Sequence, residues 1–327
     1  MEFSRLLLCL PVAVWLLVLA GADAAAAQRS PSCETRCGDI EVPYPFGLEE
    51  ECAINRRFRV NCTTVDGATK LLRGALEMTK ISVKDNKAWL KTYIARQCYN
   101  QSRKEMIYEN AWTNVTKTPF AVSADDNKII VLGCRSLATC GATPNGSCSI
   151  THGCCQLDLP KGVRNYQGYF NSFYNTIKIW RRTPCNYVAV MESAAFNFST
   201  TYLTSTEFYD RDSSKAPVVM DWAVSRNTTC EEARINTTSY ACVSDNSHCI
   251  TNDAGYACSC SSGYKGNPYI VDGCKVMKEA DGDLQEVATL AVICTKLRGE
   301  DRPTMREVEM RLENLSANSK HYNKKEK

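Results

Sequence analysis

Near its C-terminal third the chain reads Cys242-Val-Ser-Asp-Asn-Ser-His-Cys249-Ile-Thr-Asn-Asp-Ala-Gly-Tyr-Ala-Cys258-Ser-Cys260, and the run closes at Cys274. The cysteine spacing is C-x6-C-x8-C-x-C-x13-C, with Cys230 upstream as the sixth candidate. A segment this short cannot bury enough apolar surface to fold on a core of its own, so cross-links are the expected remedy. A loop as long as Cys260 to Cys274 contributes about 3 kcal/mol in the chain-entropy treatment of a disulfide. Gly263-Tyr264-Lys265-Gly266-Asn267-Pro268 supplies turn residues inside that loop. A zinc site of Cys258, Cys260 and His248 is the competing reading, but the spacing is not that of a zinc ribbon. Disulfides need an oxidising compartment, which places everything between these cysteines outside the cytosol.

The segment resembles an EGF-like module. Six cysteines allow many connectivities, and the resemblance implies one of them: Cys230–Cys249, Cys242–Cys258 and Cys260–Cys274. EGF-like modules that bind calcium carry acidic residues just before the first cysteine. Here Arg226-Asn-Thr-Thr precedes Cys230, and no second module follows Cys274.

The whole chain has 327 residues and 19 cysteines, a cysteine usage that suits a secreted protein of two or three domains. A net charge of +3 is too small to argue for nucleic acid. At the front, Arg5 precedes an apolar run from Leu6 to Ala20, followed by Ala22-Asp23-Ala24 and then Ala25 to Ala27. This is a signal peptide over residues 1–27, with cleavage after Ala24 or Ala27. No later stretch is apolar enough to span a bilayer. The longest, Val287 to Leu297, is short and broken by Thr289, Thr295 and Lys296, so no membrane anchor is expected in the mature chain.

Behind the signal peptide stand Cys33-Glu-Thr-Arg-Cys37-Gly38 and Tyr44-Pro45-Phe46-Gly47, then Cys52 and Cys62. Ile40 and Val42 alternate with polar residues as in a short strand, and Pro43 and Pro45 must end it or hold it to an edge. The pattern C-x3-C-G followed by Y-P-F-G resembles the galacturonan-binding domain of plant wall-associated receptor kinases. Trp112, Thr118-Pro119-Phe120, Asn127-Lys128, Gly133-Cys134, Gly153-Cys154-Cys155-Gln156 and Pro184-Cys185 extend the likeness downstream. With the EGF-like module it covers residues 33–274.

The fold class expected is mainly β and disulfide-rich, with a small EGF-like β module and a short α-helical C-terminal remnant. Ile81 with Val83, Trp89 with Tyr93, Phe120-Ala-Val and Ile129-Ile-Val-Leu132 read as strands, separated by turns at Asp85-Asn86 and Asp125-Asp126-Asn127. Tyr166 to Trp180, with Tyr169, Phe173, Tyr174, Ile177 and Ile179, reads as strand or irregular aromatic core. Ahead of the EGF-like module lie Cys33, Cys37, Cys52, Cys62, Cys98, Cys134, Cys140, Cys148, Cys154, Cys155 and Cys185, an odd number. Cys154 and Cys155 are adjacent, a bond between them would strain the peptide, and each is expected to pair elsewhere. Glycosylation sequons stand at Asn61, Asn100, Asn114, Asn145, Asn197, Asn227 and Asn236.

The ligand implied by the resemblance is pectin, a polyanion of galacturonic acid. Holding it calls for Arg or Lys against carboxylates and aromatic faces against sugar rings. Nine basic residues (Lys70, Arg73, Lys80, Lys84, Lys87, Lys91, Arg96, Arg103 and Lys104) face only Glu77 and Asp85 between residues 70 and 104. Trp89 and Tyr93 sit among them, and Arg56, Arg57 and Arg59 form a second cluster. The candidate ligand-binding residues are therefore Arg56, Arg57, Arg59, Lys80, Lys84, Lys87, Trp89, Lys91 and Tyr93. The plainer reading is that these are the solvated face of ordinary strands. No catalytic residues, metal ligands or cofactor are expected. The three histidines are His152, His248 and His321, neither G-x-S-x-G nor H-E-x-x-H is present, and His152 near Cys154 suits a bridged cysteine better than a Cys–His pair.

After residue 282 the character changes. Asp283-Leu-Gln-Glu286 can start a helix carrying Leu284, Val287, Ala288, Ala291 and Cys294 on one stripe, and Arg302-Pro303 ends it. Thr304-Met-Arg-Glu307 is a capping box opening a second helix with Met305, Val308, Leu312 and Leu315 on one face. This tail resembles the last two helices of a plant receptor-like protein kinase. The chain carries no Gly-rich loop, V-A-I-K, H-R-D, D-F-G or A-P-E, so no kinase activity is expected.

The plan expected is a signal peptide (1–27), a galacturonan-binding domain (28–140), a cysteine-rich extracellular region (141–229), an EGF-like module (230–274), a junction (275–282), kinase C-lobe helices (283–315) and a disordered basic tail (316–327). The function expected is extracellular binding of pectin in the cell wall, as the ectodomain of a wall-associated receptor-like kinase. A fragment of a membrane receptor serine/threonine kinase and a structural wall glycoprotein are the alternatives.

Overall fold

In–out alternation shapes the strands Lys87–Tyr93 and Ala111–Asn114, while Phe120–Val122, Cys185–Glu192 and most of Lys215–Trp222 are buried along nearly their whole length. A computed structural model describes residues 33–65, 67–133, 153–172, 175–236, 239–277, 287, 289–295 and 302–322. The signal peptide, Cys134, Cys140, Asn145, Cys148, Phe173 and Tyr174 lie outside the described residues.

A minimal hairpin, β1 (Arg36–Cys37) with β2 (Ile40–Glu41), turns at Gly38. It stops short of Pro43 and Pro45, which cannot donate to a ladder. A meander follows: β3 (Asn61–Val65), β4 (Ala68–Arg73), β5 (Leu76–Ser82) and β6 (Lys87–Tyr93). Next come β7 (Ala95–Asn100), β8 (Glu105–Glu109), β9 (Ala111–Asn114), β10 (Phe120–Val122) and β11 (Asn127–Leu132). Beyond residue 152 lie β12 (Cys154–Leu157), β13 (Asn165–Gly168) and β14 (Cys185–Glu192). Two single turns, α1 (Thr201–Thr204) and α2 (Glu207–Asp210), lead into β15 (Lys215–Trp222). The last third holds α3 (Cys230–Ile235), β16 (Ser247–Asn252), β17 (Gly255–Cys260), β18 (Tyr264–Gly266), β19 (Cys274–Val276) and α4 (Met305–Tyr322).

The strands assemble into two main antiparallel sheets. One has the order β10-β15-β6-β5-β4-β3 and the other β12-β11-β14-β7-β8. Each sheet takes strands from both sides of residue 140, so a division there cuts through both. Asn127 ties them together. Its fully buried amide donates to the carbonyls of Ser123 (2.6 Å) and Val219 (2.7 Å) and accepts from the Val219 N–H (2.9 Å), standing in for a strand partner. The Asp125-Asp126-Asn127 turn is thus a surface turn only at its two aspartates.

The larger core is aromatic. Phe46, Phe58, Phe120, Trp222 and Tyr269 interlock with ring centroids 4.9–6.0 Å apart. Tyr44 and Phe46 are buried, and a Cβ on Gly47 would lie 2.4 Å from the Cys52 carbonyl carbon. The Tyr-Pro-Phe-Gly stretch is therefore a packing element. The 166–180 stretch is mixed. Tyr166 is packed in β13 and its hydroxyl donates to Thr92 (3.1 Å), and Trp180 is half-buried, whereas Tyr169 and Ile177 are exposed, so among the described residues the stretch is only in part an aromatic core.

Disulfides join Cys33 to Cys52, Cys37 to Cys62, and Cys98 to Cys185, the last pair directly opposite across β7 and β14. In the last third they join Cys230 to Cys249, Cys242 to Cys258, and Cys260 to Cys274, the pairs that the EGF-like resemblance implies. Cys154 and Cys155 are both disulfide-bonded. As neighbours in β12 they point to opposite faces and pack in different clusters, which rules out a bond between them.

The EGF-like segment shares the larger core. Cys242, Cys249, Tyr256, Cys258 and Tyr269 are continuous with Trp222 and Phe46. Asn86, in the β5–β6 turn at φ 53° and 1% exposed, donates to the Cys258 carbonyl (3.1 Å) and accepts from the Tyr269 hydroxyl (2.8 Å). The same hydroxyl accepts from the Cys258 N–H (2.8 Å). Asn267 donates to the Tyr44 carbonyl (2.6 Å), and Arg164 donates to the carbonyls of Phe120 and Ala254.

The tail is different. Thr304 and Glu307 form the expected reciprocal cap, the Glu307 carboxylate accepting from Thr304 N–H (2.8 Å). The apolar residues Met305, Met310 and Leu312 of α4 are exposed, Met305 by 80%. No helix among the described residues is long and apolar enough to cross a membrane.

Candidate functional site

The basic stretch from residue 70 to 104 is divided between the two sheets. Alternation in β6 buries Ala88, Leu90 and Thr92 and turns Lys87, Trp89, Lys91 and Tyr93 to the outer face of the six-stranded sheet. The register sets Glu77 opposite Lys91, Lys80 opposite Trp89 and Lys215 opposite Tyr93. Lys87, Trp89, Lys91 and Tyr93 are thus brought together with Lys80, as a stripe.

The stripe carries its own counterions. Glu77, with a side chain 16% exposed, pairs with Lys215 (3.4 Å), Lys70 (3.6 Å) and Lys91 (3.7 Å). Burial works against its ionisation, but Lys91, Lys215 and Lys70 together hold its carboxyl below the usual range. Lys87 is bound to Asp126, which also accepts from the Ser123 hydroxyl (2.5 Å). Burial disfavours both charges, yet the pairing lowers the aspartate and raises the lysine. The Lys80 ammonium lies 4.4 Å from the centre of the Trp89 ring, and the indole N–H donates to Glu192 (3.1 Å). Lys215 stands 5.5 Å from the Tyr93 ring.

At the end of the stripe Asp221 is opposite Lys87 and 7% exposed. Burial, with Asp253 and Asp126 nearby, outweighs the opposing Lys87 charge and a Ser123 hydrogen bond and pushes its carboxyl up to about 6.

The other candidates lie apart from the stripe. Lys84 is exposed beside the β5–β6 turn and helps line a groove of about 700 Å³ with Asp85, Ser261, Tyr264 and Lys265 of the EGF-like segment. Arg56 is held by Glu50 at 2.6 Å. Arg57 and Arg59 are exposed and form no ion pair among the described residues. Arg96 belongs to the second sheet, where it pairs with Glu109 (2.6 Å) and covers the Tyr209 ring at 3.9 Å. Arg103 pairs with Glu105 (3.6 Å).

A basic-aromatic segment absent from that set stands on the second sheet's side. Residues 177–182 read Ile-Lys-Ile-Trp-Arg-Arg. Lys178, Arg181 and Arg182 are exposed and form no ion pair among the described residues, Trp180 is half-buried, and the segment encloses a concavity of about 530 Å³. In the sequence it was concealed by its apolar spacing, which favours a strand or core reading over a site.

Of the sequon asparagines, Asn61, Asn114, Asn197, Asn227 and Asn236 are exposed and Asn100 is half-buried. Asn114 accepts from both the N–H (3.0 Å) and the hydroxyl (2.6 Å) of Thr116, folding that sequon into an Asx turn. No group of three or more His, Cys, Asp or Glu side chains suited to a metal ion occurs among the described residues.

Residues 33–92 match the family described as wall-associated receptor kinase galacturonan-binding. Wall-associated receptor kinase 2 of Arabidopsis thaliana is 28% identical over 288 residues, covering 81% of this chain and 37% of that protein. Wall-associated receptor kinases 5 and 3 of the same plant are each 28% identical, covering 80% and 83% of this chain and 37% and 39% of their own lengths. No solved structure matches. The chain thus spans less than two-fifths of the length of these relatives. By its matched domain and by these relatives, the chain is similar to the wall-associated receptor kinases over about four-fifths of its length.

Proposed function

We propose that this chain is an extracellular module that binds acidic cell-wall polysaccharide, namely pectin with free galacturonate carboxylates. The observation that carries the reading is the galacturonan-binding match over residues 33–92. The folded state supports it. Two disulfides close the matched segment, and its Tyr-Pro-Phe-Gly stretch is packed against strands drawn from the rest of the front of the chain. The binding body is then residues 33–277 acting together, because β15 completes the sheet that the matched segment begins.

Such a module holds its ligand by charge and shape and needs no catalytic group. Exposed cations meet carboxylates, and aromatic rings lie against sugar faces. The full chain should therefore bind de-esterified pectin, lose affinity as salt rises, and release fully methyl-esterified pectin. Equal retention of esterified and de-esterified material would overturn the reading.

A second reading, a piece of a membrane receptor serine/threonine kinase, draws support from the partial coverage of the relatives and from the exposed apolar face of α4. A transcript with an apolar segment of about 20 residues after the EGF-like region would favour it. A structural wall glycoprotein without a defined ligand is the reading left if no pectin binds.

A further inference from the structure

The two basic surfaces differ in what surrounds their charges, and that difference locates a contact site outside the matched domain. Lys178, Arg181 and Arg182 stand within five residues, and none forms an ion pair with a carboxylate among the described residues. The segment bearing them is held in place at both ends. The Ile179 N–H donates to the Thr176 carbonyl (2.9 Å), and the N–H groups of Arg182 and Thr183 both donate to the Ile179 carbonyl (2.8 and 3.0 Å). Thr176 is fully buried, its hydroxyl donating to the Pro184 carbonyl (3.2 Å). That carbonyl also accepts from the Tyr99 N–H (3.0 Å), and the Cys98–Cys185 disulfide follows at once. Trp180 is braced against the Tyr99 ring at 5.5 Å, and the Arg181 guanidinium lies 5.6 Å from the indole centre. The backbone is therefore fixed before any ligand arrives, and less ordering entropy is lost on binding.

We propose that the 177–182 segment is the principal contact for an acidic polysaccharide, its three cations meeting successive uronate carboxylates while Trp180 flanks a sugar ring. The chemistry is specific in kind. Guanidinium groups engage carboxylates in bidentate fashion, an ammonium adds a point charge, and an indole offers an apolar face to pyranose C–H groups. An uncompensated cluster attracts a polyanion more strongly than a stripe already neutralised by Glu77 and Asp126, whose ion pairs would first have to be broken. This inference rests on the galacturonan-binding reading and adds the site.

The test is equilibrium binding of the full chain to polygalacturonate at low and moderate salt. The triple variant Lys178→Gln, Arg181→Gln, Arg182→Gln should bind about tenfold more weakly or worse, with a shallower salt dependence. Its thermal midpoint should match the wild type, because the three side chains are exposed. Should the triple variant unfold, Arg181→Gln and Arg182→Gln singly carry the test, each expected to lose a few-fold. The charge control, Lys117→Gln with Lys161→Gln, removes exposed cations elsewhere and should bind within about twofold of the wild type. Wild-type affinity in the loop variants, or an equal loss in the charge control, overturns this site and leaves the galacturonan reading standing. Failure of the wild type to bind polygalacturonate overturns both.

Discussion

The outer face of the six-stranded sheet and the 177–182 loop carry similar residues, lysines or arginines around a tryptophan, yet in opposite electrostatic states. On the sheet, Glu77 pairs with three lysines and Asp126 with a fourth. On the loop, three cations have no carboxylate partner among the described residues. Counting charges along a sequence cannot separate the two cases. Glu77 is one acid among many basic neighbours in the chain, but strand register places Lys91 directly opposite it and Lys70 and Lys215 within 3.4–3.6 Å. A local excess of basic residues becomes an available surface only where the fold keeps acids away.

The comparison breaks most severely if the common frame is removed. Trp222 is fully buried at the centre of the aromatic cluster and touches the EGF-like Tyr269. Trp222→Ala should cost about 3–5 kcal/mol of unfolding free energy, read from denaturant titration. Polygalacturonate binding should fall with the folded fraction. A variant that keeps its stability would show that the sheets and the EGF-like segment do not share one core.

Asp221 gives the next effect. Its carboxyl is raised to about 6 in the folded state, above its ordinary value of 3.8. The unfolded chain therefore ionises first as pH rises, so stability falls between about pH 4 and pH 6 and is level above that. The difference is on the order of 2–3 kcal/mol. Asp221→Asn should raise the thermal midpoint at pH 7, leave it unchanged near pH 4, and flatten the profile between. A midpoint lowered at pH 7 would show instead that the Asp221 charge serves Lys87.

Much of the fold is legible in the chain, and the reason is periodicity. Ile81, Trp89 and Tyr93 announce β5 and β6 by alternation, and Ile129 to Leu132 announce β11 as a short continuous apolar run. The capping box at Thr304 is equally local. Less legible is whatever depends on distant partners. Asn86 and Asn127 read as turn residues, yet one holds the EGF-like hairpin to the sheet and the other joins the two sheets. The Tyr44-Pro45-Phe46-Gly47 motif that carries the resemblance is buried, so the residues that reveal kinship are not those offered to a ligand. The 177–182 loop is hidden in the sequence because Ile177, Ile179 and Trp180 mimic a strand, while its position depends on the bond from Thr176 to Pro184.

A smaller change should convert one surface towards the other. Glu77→Gln frees Lys70, Lys91 and Lys215 from their shared acid. Because the folded state lowers the Glu77 pKa, its contribution is present at neutral pH and lost as pH falls through the folded value. The substitution should cost about 1 kcal/mol of stability at pH 7, after allowance for solvent screening. It should also raise affinity for polygalacturonate a few-fold, and unchanged affinity would mean that the sheet face is not reached by the polymer at all. The smallest effect is expected from Lys87→Gln with Lys91→Gln, a loss of about twofold, since both ammonium groups are already paired. A loss exceeding that of the loop variant would reverse the order of the two surfaces.

The most direct measurement is residue-level protection. The full chain is treated with lysine- and arginine-selective reagents, with and without polygalacturonate, and the modified sites are mapped by mass spectrometry. Lys178, Arg181 and Arg182 should be shielded by the polymer, while Lys80, Lys87 and Lys91 react alike in both samples. Shielding of the sheet lysines with the loop left fully reactive would contradict the assignment.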